Sequence, residues 1–134
     1  MTDDATNPLE RCRRTLDEMS GLVGDGGHAS NTRRWDRLVS AWLADRQVLE
    51  QSEKGRAELA AMMGDPRPTV RLWSAAAVLF WDPDAARPVL TEIRDFPMRY
   101  DLHSITAKHT LLEFDAGRLP RDAALPGSRG SAAG

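Results

Sequence analysis

The sequence predicts an all-α domain of about five to six helices, and three observations carry that reading. Apolar residues recur at steps of three and four along most of the chain, which is the period of a helix face. Strand signals are nearly absent, since Val, Ile and Thr are sparse and no alternating run lasts more than a few residues. The stretch "PTVRLWSAAAVLFWDP", 68–83, is apolar from Val70 to Trp81 except at Arg71 and Ser74. A helix that is apolar nearly all round must be covered on several sides.

The elements follow in order. Leu9, Cys12, Leu16 and Met19 form one stripe of a first helix, which Gly21 is expected to stop. "GLVGDGGHASN" then reads as a Gly-rich loop ending at Ser30 or Asn31, either of which suits a helix N-cap. A long second helix places Trp35, Leu38, Val39, Trp42 and Leu49 inward, with arginines and aspartates opposite. Ser52 to Met63 predicts a third helix with Leu59, Met62 and Met63 inward and Gly64 as its C-cap. "DPRP" breaks the chain, because two prolines cannot both sit inside a helix.

Pro68 suits the first turn of a fourth helix, where a missing N–H costs nothing. The alanine triplet 75–77 favours helix over strand. Val70, Trp73, Ala77 and Phe80 line one face, and Leu72, Ala76 and Leu79 another. Asp82 caps a fifth helix with Pro83 at its first position, Val89, Leu90 and Ile93 inward, and Pro88 expected to kink it or delay its start. "DFP" ends it. A last helix, about Asp101 to Ala116, carries Leu102, Ile105, Leu112 and Phe114 inward, with Gly117 as cap. Residues 1–7 and 120–134 lack periodicity and are expected to be disordered tails around a single domain spanning 8–119.

Composition bounds the function. A chain of 134 residues with 41% hydrophobic and 28% charged residues is globular and long enough for one core. The net charge is −2, and neither half is polarised: up to Asp65 there are 9 basic and 12 acidic residues, thereafter 9 and 8. A protein that grips phosphates shows a strong basic excess, so nucleic acid is disfavoured as a partner. Cys12 is the only cysteine, which excludes an internal disulfide and suits a reducing compartment. "MTDDATNPLE" is acidic where a signal peptide is basic, and the apolar run at 70–81 is too short to span a bilayer. The expectation is a cytoplasmic protein without membrane contact.

The second half repeats a plan. "ELAAMM", "DPRP", "TVRLWSAAAVLF" is helix, Pro-rich turn, helix, and "VLTEIR", "DFPMRYDLH", "SITAKHTLLEF" follows it. Val70 to Ile105, Ala77 to Leu112 and Leu79 to Phe114 are each 35 residues apart, and Glu58 to Val89 is 31. Helical hairpins repeating at this period are the mark of a solenoid. "ELAAMMGDPRPTVRLWSAAAVL" resembles a HEAT repeat, with Asp65 and Pro68 in its turn and the pair Val70 and Arg71 after it. Among HEAT-like proteins the chain resembles a small bacterial family catalogued as a domain of unknown function (family twenty-nineteen). The stretches that carry this are "GDGGHASNTRRWDRL", "VRLWSAAAVL", "DPDAARPVLTEI" and "SITAKHTLLEFDAGRL", within residues 9–119, and "RLWSAA" and "AGRL" are the most distinctive. The resemblance implies an α-α superhelix and carries over no catalytic residue, metal or cofactor.

Individual side chains read mostly as structure. In HEAT-type repeats the arginine matching Arg71 locks hairpins to turn carboxylates, and Asp65 is its expected partner here. Its removal is then expected to cost a few kcal/mol. Trp35, Trp42 and Trp73 lie on inward stripes as core anchors, whereas Trp81, at a helix end, is the one expected to reach a contact surface. His28, His103 and His109 lack the spacing of three or four that a helical metal site wants. "GLVGDGGH" lacks the Gly-Lys-Ser/Thr ending of a phosphate loop. Cys12 reads as a small buried apolar group, and Asp82 with Asp84 as capping acids.

The function expected from these signals is a non-catalytic protein-interaction module, of immunity or adaptor type, with an unidentified protein partner. Its second-of-pair helices would present Arg71, Lys108 and Glu113. The alternative is a nucleic-acid binder related to HEAT-like DNA-repair glycosylases, and a third option is a subunit of a homo-oligomer.

Overall fold

The computed structural model describes residues 7–22, 32–96, 102–121 and 123–126. The fold is all-α with six helices: α1 (Pro8–Leu22), α2 (Thr32–Leu49), α3 (Glu53–Ala61), α4 (Pro68–Val78), α5 (Pro83–Asp95) and α6 (Leu102–Asp115). A 3-10 turn, Met62–Gly64, tightens the end of α3. No strand occurs among the described residues, and none of their helices is long and apolar enough to cross a membrane.

Local chemistry sets the helix ends. Asn7 caps α1 by accepting from the N–H groups of Leu9 (2.9 Å) and Glu10 (3.3 Å). Ser52 caps α3 by accepting from the Gly55 N–H at 3.0 Å, and Asp82 caps α5 by accepting from Ala85 at 3.3 Å. Phe96 stops α5 in extended backbone (ψ 134°), as a residue preceding proline prefers. At the end of α6 the N–H of Arg118 reaches the Glu113 carbonyl and that of Gly117 the Phe114 carbonyl. Gly117 sits at φ +75°, completing a Schellman cap that only a glycine enters without strain.

Two boundaries differ from the sequence reading. Gly21 lies inside α1, which runs on to Leu22. Gly64 belongs to the 3-10 turn and is no left-handed cap, because the chain leaves through extended Asp65. Helix α5 starts at Pro83 as expected, and its regular start is not delayed by Pro88, whose exposed ring meets solvent. The loop cap at Ser30 or Asn31, His28 and the start of α6 at Asp101 lie outside the described residues.

Helix α4 is the centre. It packs against α1, α3, α5 and α6, and α2 reaches it where Trp35 meets Trp73 edge-to-face, ring centroids 5.9 Å apart. From Thr69 to Val78 every residue but Arg71 is buried. Ser74 donates its hydroxyl back to the Val70 carbonyl at 2.7 Å, so the one buried polar side chain in the middle of the rod is satisfied within its own turn. Around it α1 lies on α2, α2 on α3, and α5 on α6.

The repeat is visible in burial on the first helices of the two units. Residues 31 apart on the first helices of the two units are buried alike: Gly55 with Ala86, Leu59 with Leu90, Met62 with Ile93. On α4 and α6 burial singles out no spacing, because α4 is buried nearly all round: 35 pairs Leu72 with Ala107 and Ala76 with Leu111, but also Ala77 with Leu112, which is 52% exposed. The packed face of α6 is Leu102, Ser104, Thr106, Ala107, Thr110 and Leu111, and Leu112, expected inward, is turned to solvent. What α6 buries is mixed, two leucines with small and hydroxylated residues between them.

The chain beyond Pro120, expected to be a disordered tail, is docked where it is described. Leu125 is buried, and Leu119 and Ala124 pack against the core. Isolated apolar residues between prolines carry no period, so pattern reading does not see such a contact. Residue 122 and residues 127–134 lie outside the described part.

Two substitutions test this packing. A Cβ on Gly55 would sit 1.9 Å from the Leu49 carbonyl oxygen, so the α2–α3 corner closes only on glycine. Gly55→Ala is expected to lower the unfolding free energy in urea by about 3 kcal/mol or more. Conversely, the Thr110 hydroxyl is buried with no hydrogen-bond partner. The near-isosteric Thr110→Val should therefore raise stability by about 1 kcal/mol, read as a higher urea midpoint with unchanged slope.

Candidate interaction face

The outward face of α6 carries Ile105, Lys108, His109, Leu112 and Asp115, one helical arc opposite the packed Thr106–Thr110 side. Leu112 and Ile105 are seven residues apart, two turns along that arc. Leu112 is 52% exposed and Ile105 half-buried. Lys108 is exposed and has no ion pair among the described residues. Asp115 is tied to Arg87 of α5.

The residues singled out from sequence fall into place unevenly. Glu113 is held by Arg118, whose Nε and Nη2 donate to its two carboxylate oxygens at 3.0 and 2.9 Å. That fork keeps the Glu113 carboxyl below the usual carboxylate range. Trp81 is half-buried against the core. Asp82 caps α5, and Trp73 is core. Of the sequence-selected contact residues, Lys108 and Trp81 remain accessible in part, and Leu112, which had been assigned to the core, joins Lys108. No signal in the sequence marks Leu112 as outward, since it shares the spacing of a buried stripe.

The pairing of Arg71 with Asp65 is not what forms. Arg71 reaches Glu92 of α5. Asp65 is instead taken by Arg67, whose backbone N–H donates at 2.8 Å and whose Nε and Nη2 donate at 3.1 Å each. Arg67 also bonds Asp17 of α1, so the turn before α4 is fastened to the first helix. The Arg67 hydrogen bonds hold the Asp65 carboxyl below its ordinary range and push the guanidinium further up. Arg71 starts one turn further round α4, on the side where α5 lies, which is why the nearer-in-sequence acid is out of its reach.

Beside that turn is a cleft of about 350 Å³ lined by Arg13, Leu16, Ala61, Met62, Gly64, Asp65, Arg67 and Val70. It is at the small end of ligand-pocket sizes. Arg13 is exposed there with no ion pair among the described residues, while Arg67 is already neutralised by its two carboxylates.

Two of the groups capable of covalent or acid–base chemistry are engaged in packing. Cys12 is fully buried, and burial, with the nearby Asp45 carboxylate, pushes its thiol up to about 12, far from a nucleophile's range. His103 shares a hydrogen bond with the Thr69 hydroxyl at 2.9 Å and helps dock α6 on α4. His109 is exposed. Among the described residues no three His, Cys, Asp or Glu side chains are grouped as metal ligands would be.

The Arg71–Glu92 pair is open to water, with the glutamate side chain 62% exposed. Exposed pairs of this kind contribute about 0.2–1 kcal/mol. Arg71→Ala is therefore expected to cost about 1 kcal/mol in urea unfolding, less than an arginine locked to a buried turn acid would, and Glu92→Ala should reproduce most of it. Comparison with protein-family models, curated proteins and solved structures finds no match to this chain.

Proposed function

We propose that this protein is a non-catalytic interaction module of HEAT-like kind, of immunity or adaptor type, working in the cytoplasm. Its partner is a protein helix laid along the outward face of α6. The observation that supports this is the outer side of α6, where Leu112 is turned to solvent with half-buried Ile105 two turns before it, flanked by the unpaired Lys108. A helix stripe of two aliphatic residues two turns apart is the footprint that a second amphipathic helix covers. Lys108 and His109 on the same arc favour acidic residues along the edge of that partner helix. By contrast, most of the other charged side chains near this face are engaged within the molecule, as in Arg87 with Asp115 and Arg118 with Glu113.

Capture from cell extract with the wild-type chain and with Leu112→Asp separates this reading from its rivals. Leu112 packs on nothing that folding needs, so the variant should unfold at the wild-type urea midpoint to within about 0.5 kcal/mol. A partner retained by the wild type should be lost from the variant, with its affinity reduced at least tenfold, about 1.4 kcal/mol. Identical partners at equal affinity on both chains would show that the α6 face is not the binding surface.

A further inference from the structure

Ionised side chains are rarely taken out of water unless something holds them. In the last turn of α2, Arg46 is 4% exposed. Its Nη2 donates to the backbone carbonyl of Arg121 at 2.5 Å, across from the C-terminal segment. Its Nε lies 3.9 Å from Glu50 Oε1, and Arg121 Nη2 lies 3.2 Å from the same oxygen. Both guanidiniums sit over the ring of Phe80, Arg121 at 4.7 Å and Arg46 at 5.9 Å from its centroid. Four residues on, Leu125 is buried against the core. Arg46, Glu50 and Phe80 therefore form the floor of a groove, and the non-helical segment after Gly117 lies in it.

We infer that the Arg46–Glu50–Phe80 groove is a peptide-recognition site whose present occupant is the chain's own C-terminal segment, and that it accepts from another protein a non-helical segment carrying an arginine and, four residues further, a leucine. The floor belongs to the last turn of α2 and to the turns that follow α2 and α4, none of which includes a residue of the segment. The described contacts of the segment include a cation, a buried aliphatic side chain and a main-chain carbonyl, the kinds of anchor a peptide ligand offers. The carbonyl bond reads the backbone whatever its sequence, while Glu50 with Phe80 selects the guanidinium. The internal occupant also fits imperfectly. Glu50 Oε1 is buried without a hydrogen bond, facing its two arginines at 3.2 and 3.9 Å. Charge-assisted bonds close to about 2.8 Å, so an arginine free of the tether at Gly117 gains what Arg121 forgoes. This site is separate from the α6 face and stands or falls without it.

The probe is a labelled synthetic peptide of residues 118–126, titrated by fluorescence anisotropy into full-length chains. Wild type should bind it weakly, because the tethered copy competes. Arg121→Ala in the chain should release the groove and bind the peptide at least about tenfold more tightly, as expected when an occluded site is freed. Leu125→Ala, which loosens the other anchor, should act in the same direction. Adding Glu50→Gln to either should abolish the gain, and a peptide with its own arginine at the 121 position replaced by alanine should not bind. Absence of binding to cooperatively folded Arg121→Ala and Leu125→Ala chains overturns the inference, as does binding indifferent to Glu50→Gln. Failure of both single variants to fold cooperatively overturns it too, since the segment is then a fixed part of the core.

Discussion

Everything in this molecule depends on keeping α4 dry. Val70, Leu72, Trp73, Val78 and Leu79 are each at most 2% exposed. Each such burial contributes about 1.5–3 kcal/mol, against a net stability of about 5–15 kcal/mol for a domain of this kind. No single neighbour can shield a helix that is apolar on all sides, so the other five converge on it. Ala75, Ala76 and Ala77 let those neighbours come close, and Trp73 fills the space toward α2 against Trp35. The α1–α2 pair and the α5–α6 pair meet through α4, which makes it the shared wall of both halves.

Charge then orients what hydrophobic burial gathers. Arg34 joins Glu18 between α2 and α1, Arg67 joins Asp17 between the α4 turn and α1, Arg71 joins Glu92 between α4 and α5, and Arg87 joins Asp115 between α5 and α6. Exposed pairs of this sort add little stability singly. Their effect is on register: each fixes how one helix slides against the next. The aromatic pair Phe80 and Phe114, centroids 6.3 Å apart, extends the same device, with Arg46 and Arg121 over one ring and Arg87 over the other. Part of the chain's arginine charge is thus neutralised at its helix seams.

How much of this is legible in the sequence varies with the kind of signal. Helix number, the Asp82 and Gly117 caps and the burial of the 70–79 stretch follow from period and cap chemistry, which are local. The α3–α5 correspondence at 31 residues is legible because both helices bury the same kind of stripe. Helix α6 is not. Leu102 is buried as its spacing suggests, but Leu112 satisfies the same helical template and is exposed, while Thr106 and Thr110 are buried instead. The partner of Arg71 was misassigned for a related reason: sequence proximity suggests Asp65, but the direction in which a side chain leaves the helix decides between two acids. Docking of Leu125 has no local signature at all, being a single residue meeting a surface made by distant ones.

Two peripheral places where burial rules are broken bear comparison. At α6 Leu112 is out while hydroxyls are in, with Thr110 left without a hydrogen bond. Under the C-terminal segment, by contrast, ionised groups are in, with Glu50 Oε1 similarly short of one. In the core the Trp35 indole N–H is also buried without a partner, and for the rest of the described residues caps and periods agree with the packing. Sequences selected only to fold tend toward such agreement everywhere, and those with a recognition task carry local exceptions that the rest of the fold tolerates. Both exceptions here lie on the periphery of the α4 rod, one on the last helix and one at the end of α2. Each can therefore be altered by a partner without disturbing the burial that holds the helices together.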